Sequence, residues 1–277
     1  MKERTRLAGI LLVLIMLSLS SRVAVARELI FSIHPFANPA TIYRSFQPLV
    51  EYLEKTTGTT ITIKIAPSYI AHVLMVGRGK ADIAFVGPSP YVRIKDKFGG
   101  IELLGQFKMR DDINDKVVIV CRDTASITSI ADLAGKTFAF GDHQSFGSHY
   151  LPRWLLDTNG VPVKNLITYD FVKSHDNVVL SVLHGDFAAG GVRLDIYRKY
   201  ADRPLRILAG PFPIPPHALV CRKDLGQALK DALRQSLLSL RDPAVLESIN
   251  PAMLRFEEVA DGDFDQARTI MNYIEAR

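Results

Sequence analysis

One turn of the sequence has the residue types and spacing of an anion-binding site. Phe138–Pro152 begins as a short apolar strand that ends at Phe140, passes through a small and polar turn, and becomes helical. A strand that enters a helix through Ser and Gly leaves several backbone N–H groups unpaired at the helix start. Those N–H groups and the positive end of the helix dipole attract anions. Ser145, Gly147 and Ser148 are therefore candidate ligand residues, although Ser in this position also serves as a simple helix cap.

Three other side chains stand where a strand ends or a helix begins. Tyr69 and Tyr91 each follow a strand and a proline-containing turn. In α/β sheets ligands bind beyond the carboxyl ends of the strands, so both tyrosines are candidates, with core packing as the alternative. Arg193 ends an apolar strand, and its forked guanidinium suits an oxyanion as well as it suits a salt bridge.

The elements that must position these residues alternate between strands and helices. Glu28–Ile33, Ile61–Ile65 and Ala81–Val86 read as strands, and helical spacing of apolar residues separates them. A second block, from about residue 116 to 193, repeats the alternation. The pattern predicts an α/β protein with two lobes, each a mainly parallel sheet flanked by helices.

Two similar segments bracket the second block and predict the connection between the lobes. They are Val118–Asp123 and Leu219–Asp224, which share the order Val-Cys-Arg. We expect lobe 1 to comprise residues 27–115 and 223–277, and lobe 2 residues 116–222, with hinge strands near 117–122 and 218–222. If those strands lie side by side, Cys121 and Cys221 come close enough for a disulfide; two free buried thiols are the alternative.

The first 26 residues have the composition of an export signal. Basic residues at positions 2, 4 and 6 precede the apolar run Leu7–Leu19, and Ala24-Val25-Ala26 fits a signal peptidase site. We expect cleavage after Ala26 and a periplasmic mature protein, with an uncleaved N-terminal anchor as the alternative. The apolar run is shorter than the roughly 20 residues that span a bilayer comfortably.

Charge and motif content exclude several classes of function. The chain has 34 basic and 29 acidic residues, of which the first 26 residues contain four and one, so the remainder carries a net charge of 30 − 28 = +2. That balance gives no reason to expect nucleic-acid binding. The histidines show no paired metal-ligand spacing, and no nucleophile elbow or phosphate-binding loop of an enzyme is present. We expect neither a metal nor a cofactor, and no catalytic residues.

Four sequence motifs resemble those of one family of transport proteins. They are Gly79–Tyr91, Ile130–Phe140, Ser174–Val178 and Ile214–Pro216. In this order they are similar to the substrate-binding proteins of phosphonate, phosphite and phosphate ABC transporters, the PhnD-like type 2 periplasmic binding proteins. The resemblance extends over essentially the whole chain after the signal segment.

The resemblance implies two lobes on a hinge that close around a small anion. It implies that Tyr69 and Tyr91 line the first-lobe side of the cleft, that Ser145 holds anion oxygens, and that His175 stands on the second-lobe wall. Phe146 and Gly147 replace two hydroxyl residues of the family's turn, with Ser148 a possible substitute one position on. Phe146 therefore suggests a ligand with an apolar part, or one that is not a phosphonate.

The expected function is that of an extracytoplasmic solute receptor for a small oxyanion, working as a monomer with an inner-membrane ABC permease. Three alternatives remain at this point: a receptor that presents its ligand to a membrane sensor kinase, a receptor for a different small organic solute, and an enzyme built on the same fold.

Overall fold

The chain folds into two β-sheets with helices packed on both. The computed structural model describes residues 28–110 and 115–277, so the expected signal peptide and its cleavage site lie outside the described residues. The strands are β1 (Glu28–Ile33), β2 (Thr60–Ile65), β3 (Ile83–Val86), β4 (Ile101–Met109), β5 (Lys116–Arg122), β6 (Thr137–Phe140), β7 (Thr168–Phe171), β8 (Ala189–Arg193), β9 (Leu205–Pro213), β10 (Ala218–Arg222) and β11 (Met253–Glu257).

Some of the described helices begin at a side-chain cap, namely those that follow Asn38, Ser68, Ser174 and Asp242, and the others begin without one. The helices are α1 (Pro39–Thr57), α2 (Tyr69–Gly77), α3 (Pro88–Phe98), α4 (Leu151–Thr158), α5 (His175–His184), α6 (Leu194–Arg198), α7 (Gln227–Ser239), α8 (Pro243–Ile249) and α9 (Asp265–Glu275). For α1, the Asn38 side chain accepts the Thr41 N–H at the start, and Gly58 ends the helix with a φ of 68°, which favours glycine.

Each sheet has three parallel strands, completed by antiparallel ones. The six-stranded sheet has the order β11-β4-β10-β3-β1-β2, and the five-stranded sheet the order β7-β6-β8-β5-β9. Strands β2, β1 and β3 are mutually parallel, as are β7, β6 and β8. The predicted two-lobed α/β fold is confirmed, and its sheets contain more antiparallel pairing than the mainly parallel arrangement expected.

Within the part of the chain that the structure describes, three apolar cores hold the helices onto the sheets, and one of them, which includes Val92 of α3 and Phe138 of β6, spans both lobes. In the first lobe, Phe31 of β1 packs with Phe46 of α1. In the second lobe, Val118 and Val120 of β5 pack with Val178 of α5. Because both faces of β3 and β5 are covered, these strands are continuous apolar runs rather than alternating ones.

The connection between the lobes differs from the expected hinge. Strand β10 lies in the six-stranded sheet between β3 and β4, and β9 is the strand that pairs with β5. Placing residues 218–222 in lobe 2 was therefore wrong. The chain crosses between the sheets after β4 and after β9, and the Ile214 N–H donates to the Asp115 carbonyl where these crossings meet.

The two cysteines consequently lie in different sheets. Cys121 is in β5 and Cys221 is in β10, and both are buried free thiols. The disulfide suggested by side-by-side hinge strands is not formed, because those strands are not neighbours. Among the described residues, none of the helices is both long and apolar enough to cross a bilayer.

Candidate functional site

A cleft of about 270 Å³ lies between the two sheets, at the carboxyl ends of their parallel strands. Four N-terminal ends of helical segments line it. They begin at Tyr69 (α2), Pro88 (α3), Phe146 (a helical turn, Phe146–Tyr150, that leads into α4) and His175 (α5). Each such end presents backbone N–H groups and a partial positive charge, so the cleft attracts an anion.

The turn predicted from the sequence forms the second-lobe side of this cleft. The Ser145 hydroxyl oxygen accepts the Ser148 N–H at 3.2 Å, which leaves the hydroxyl proton free to donate to a ligand. The N–H groups of Phe146 and Gly147 precede the first N–H groups that bond back to the Ser145 carbonyl. A Cβ at Gly147 would lie 3.2 Å from Val117 Cγ2, so a larger residue would crowd the turn.

Arg193 places the strongest charge of the site, and that charge is already paired. Its Nε and Nη2 donate to the two carboxylate oxygens of Asp195 at 2.9 and 2.6 Å. Burial alone would lower the pKa of Arg193, but Asp195 outweighs it and the net shift is upward. The Arg193–Asp195 pair contributes no net charge, so an anion in the cleft would be held largely by hydrogen bonds from neutral N–H and hydroxyl groups.

Three histidines line the cleft around Arg193. Burial, together with the Arg193 charge, lowers the pKa of His175 to about 4, and burial lowers the pKa of His34 to about 4 as well. Burial and then Arg193 hold the pKa of His217 well below its usual value. All three rings are therefore neutral near pH 7 and offer hydrogen bonds rather than charge.

The remaining wall of the cleft is largely apolar. Phe36 and Ile249 line it from the first lobe, Phe146 from the second, and Ile214 from the crossing segment. Tyr69 adds a hydroxyl to this wall. Burial, and to a lesser extent the nearby Asp142 charge, raises the pKa of that hydroxyl, so it stays protonated.

The two lobes are in contact at the edge of the cleft. There the Ser89 hydroxyl of the first lobe donates to the Gln144 carbonyl of the second.

Six of the eight side chains or turn residues expected from the sequence line the cleft: Tyr69, Ser145, Phe146, Gly147, His175 and Arg193. Tyr91 lies elsewhere. Its ring packs on Phe264 with centroids 4.0 Å apart, and its hydroxyl donates to Asp261 at 2.7 Å. The Ser148 side chain also points away from the cleft lining, because its Oγ is buried against the backbone of Gly141 without a hydrogen-bond partner.

Sequence reasoning missed His34, His217 and Asp195. His34 directly follows β1, and His217 directly precedes β10. Because β10 runs antiparallel to β3, its beginning lies at the same sheet edge as the ends of β1 and β3. The rule that ligands bind beyond the carboxyl ends of parallel strands would have indicated His34. His217 could not be placed without the knowledge that β10 joins this sheet. In residues 28–110 and 115–277 no cluster of three His, Cys, Asp or Glu side chains could hold a metal.

Comparisons with known proteins agree with this geometry. Residues 31–264 match the family described as the phosphonate periplasmic substrate-binding protein of ABC transporters. A phosphate-import protein, PhnD, of Mycolicibacterium smegmatis (strain ATCC 700084 / mc(2)155) is 27% identical in an alignment 167 residues long, and the alignment covers 56% of this chain and 52% of that protein. The match thus spans about half the length of that curated relative.

Two solved structures show the same fold. PhnD1 from Prochlorococcus marinus (MIT 9301), in complex with methylphosphonate, has a TM-score of 0.79 at 19% identity over 90% of this chain and 98% of that one. XAC2383 from Xanthomonas citri, bound to ATP, has a TM-score of 0.76 at 18% identity over 90% and 97% of the two chains.

The fold and the anion-attracting cleft define a bilobal solute-binding protein. The chain belongs to the phosphonate family of ABC-transporter periplasmic substrate-binding proteins. Members of this family are exported solute-binding components of importers, not enzymes.

Proposed function

We propose that this protein binds a small oxyanion of the phosphonate, phosphite or phosphate class and delivers it to an inner-membrane ABC permease. The observation that carries the proposal is the convergence of four helical N-termini on one cleft of about 270 Å³. Backbone N–H groups, the Ser145 hydroxyl and the Tyr69 hydroxyl would replace the hydration shell of the anion.

The apolar wall supports a ligand with a small organic substituent. Phe146 and Ile214 line the same cleft as the polar donors. Inorganic phosphate presents only oxygen atoms at its surface, so it would give these two apolar side chains no apolar group to contact. An alkylphosphonate presents an oxyanion head and a carbon tail together, so we rank it above inorganic phosphate. Tyr69, Ser145, Phe146, Gly147, His175 and Arg193 are the proposed ligand residues.

A thermal-shift and calorimetry panel tests the proposal. Phosphate, phosphite, methylphosphonate, ethylphosphonate, methanesulfonate and acetate would each be added to the purified protein without its signal segment. A ligand at 100 times its Kd should stabilise the fold by about 2.7 kcal/mol. We expect the largest rise in Tm with an alkylphosphonate, and a panel in which no oxyanion raises Tm would refute the proposal.

The role in transport has its own test. We propose that the ligand-bound monomer stimulates ATP hydrolysis by a permease complex reconstituted in vesicles, and that the chain is exported with cleavage after Ala26. Light scattering and mass spectrometry of the periplasmic protein check the monomer and the new N-terminus. Ligand-dependent activation of a sensor kinase, with no effect on a permease, would favour the alternative role of a signalling receptor.

A further inference from the structure

Two histidines that line the cleft from opposite lobes have opposite ring tautomers. His34 Nδ1 lies 3.3 Å from the Phe85 carbonyl oxygen, and a carbonyl only accepts, so Nδ1 carries the proton. His175 Nδ1 lies 3.2 Å from the Arg193 backbone nitrogen, and an N–H only donates, so this Nδ1 is bare. In the neutral rings, His34 Nε2 is therefore an acceptor and His175 Nε2–H is a donor.

The surroundings hold both rings in these states. His34 is only 2% exposed, and its ring stacks on Phe85 with centroids 5.1 Å apart. The titratable or charged groups around it are Tyr69 and His72 of α2, His217 before β10, and Arg193 at the end of β8. Burial and the positive charge of Arg193 disfavour a second proton on either ring.

A bare imidazole nitrogen inside an anion site makes a specific demand on the ligand. Within the described residues, the His34 side chain makes its one hydrogen bond through Nδ1, so Nε2 remains available to a ligand. An oxygen without a proton would set its own lone pairs against that nitrogen, and an unpaired buried acceptor costs about 1–3 kcal/mol. A hydroxyl group on the ligand would pair with it.

We propose that His34 selects oxyanions that keep one acidic hydroxyl, so that the site takes the monobasic form of a phosphonate, phosphite or phosphate and discriminates against sulfonates. This inference rests on the proposed oxyanion function. The P–OH group donates to His34 Nε2, and a P–O⁻ oxygen accepts from His175 Nε2–H. A sulfonate of the same size has three oxygens and no proton at neutral pH, so it satisfies only the second contact.

Methylphosphonate and methanesulfonate are the matched probes, because they share a methyl group and a tetrahedral three-oxygen head. Calorimetry at pH 6.5 should give a Kd for methylphosphonate at least about tenfold lower than for methanesulfonate, the factor that about 1.4 kcal/mol represents. As pH rises past the second ionisation of methylphosphonate, its affinity should fall, whereas that of methanesulfonate should change little. Equal affinities, or a phosphonate affinity that rises with pH, would overturn the inference.

Variants identify the residue responsible. His34→Asn places an amide N–H where Nδ1–H was, so it keeps the bond to the Phe85 carbonyl and removes Nε2. We expect the preference for methylphosphonate to shrink to less than threefold. His72→Asn is the matched control: His72 is equally buried, lies beside His34 and does not line the cleft. A preference that survives His34→Asn, or that His72→Asn abolishes to the same extent, would contradict the assignment to His34.

A spectroscopic measurement on the unaltered protein does not depend on whether the variants fold. Nitrogen-15 shifts of labelled histidine distinguish protonated from bare ring nitrogens. We expect a bare Nε2 in His34 and a bare Nδ1 in His175, and the reverse pattern would overturn the inference even if phosphonates bind. Failure of every oxyanion to bind would refute the proposed function, and the inference with it, whereas equal binding of both probes refutes the inference alone.

Discussion

At the residue scale, Ser145 and Ser148 of the turn that leads into α4 have different environments and should behave differently. Ser145 lines the cleft and caps the helical turn, whereas the Ser148 hydroxyl is buried without a partner. We predict that Ser145→Ala lowers oxyanion affinity about tenfold and the free energy of unfolding by about 1 kcal/mol, because a donor and a cap are both lost.

Ser148→Ala is the control for that change, since it removes no hydrogen bond and no part of the cleft wall. We expect its affinity within about twofold of wild type, which corresponds to roughly 0.4 kcal/mol. Calorimetry and urea denaturation measure both quantities. If Ser148→Ala weakened binding as much as Ser145→Ala, the assignment of the two hydroxyls would be wrong.

The motif around Tyr91 predicted a place in the cleft, whereas the fold packs this side chain against Phe264 and Asp261. Its hydroxyl donates to Asp261, and this hydrogen bond is the largest contribution to the lowered pKa of the Asp261 carboxyl. We predict that Tyr91→Phe reduces the free energy of unfolding by about 1–2 kcal/mol and leaves oxyanion affinity unchanged. Denaturation and calorimetry on one preparation separate the two effects, and a large loss of affinity would return Tyr91 to the ligand residues.

Tyr69 and Tyr91 occupy different positions along their helices, and the sequence motif did not show which way each side chain points. Tyr69 is the first residue of α2 and therefore sits at the helix end that borders the cleft, whereas Tyr91 lies one turn inside α3 and turns toward Phe264. Strand ends and helix starts were predictable from Gly, Pro and Ser. The direction of a side chain one turn later depends on packing against α9 and its preceding turn, which are about 170 residues away in the chain.

At the element scale, strand β9 is the clearest example of what local patterns conceal. Its sequence contains Gly210, Pro211 and Pro213, which usually mark a loop, yet it pairs with β5 along its length. The pairing is possible because β9 is an edge strand, where a residue without an N–H costs no inner ladder bond. Strand β5 pairs with β8 on one side and β9 on the other. Because β9 was missed, β10, with its similar sequence, was wrongly placed beside β5.

Helix α9 joins the two lobes at a position remote from the chain crossings. Glu275 of α9 binds Arg93 of α3 in the first lobe and accepts the hydroxyl of Tyr150 at 3.0 Å in the second. Tyr150 also accepts from Arg93 and belongs to the helical turn that lines the cleft. A second attachment runs from Tyr273 of α9 to Asp157 of α4 at 2.5 Å.

We predict that Tyr150→Phe loosens the lobes of the ligand-free protein and weakens oxyanion binding about two- to tenfold, since one hydrogen bond contributes roughly 0.5–1.5 kcal/mol and a smaller closed fraction lowers apparent affinity. Small-angle scattering should show a larger radius of gyration. Glu247→Gln breaks an exposed ion pair with Arg110 inside the first lobe and should change neither quantity. Identical scattering from Tyr150→Phe and wild type would contradict this role for α9.

At the scale of the whole molecule, the alternation of strands and helices predicted two lobes and the sheet edge on which the candidate site lies. It did not predict how the lobes meet. That arrangement depends on contacts between residues far apart in sequence, such as Ser89 with Gln144 and Arg93 with Tyr150. The contact between Ser89 and Gln144 lies at the edge of the cleft, and burial lowers the pKa of the histidines that line it. Burial thus links the closed arrangement of the lobes to the pH dependence of stability.

Stability should fall as pH decreases from about 6.5 to about 4. Burial lowers the pKa of His34, His149 and His175 to about 4 from the usual 6.5. Over this window the unfolded chain binds protons that the folded chain does not, so each histidine removes up to about 1.4 kcal/mol of stability per pH unit. Hydrogen bonds from Thr128 lower the pKa of the Asp132 carboxyl to about 2, so that group contributes only below this range.

A variant of His149 tests whether buried histidines cause the loss of stability at acid pH. Its Nδ1–H donates to the His143 carbonyl at 2.7 Å, while its Nε2 is buried without a partner. His149→Asn keeps a donor for that carbonyl and removes one group that must stay unprotonated in the fold. We predict a shallower fall of Tm between pH 6.5 and 4.5 for His149→Asn than for wild type, measured by calorimetry without ligand. Parallel curves for the two proteins would mean that buried histidines do not set the acid limit of this fold.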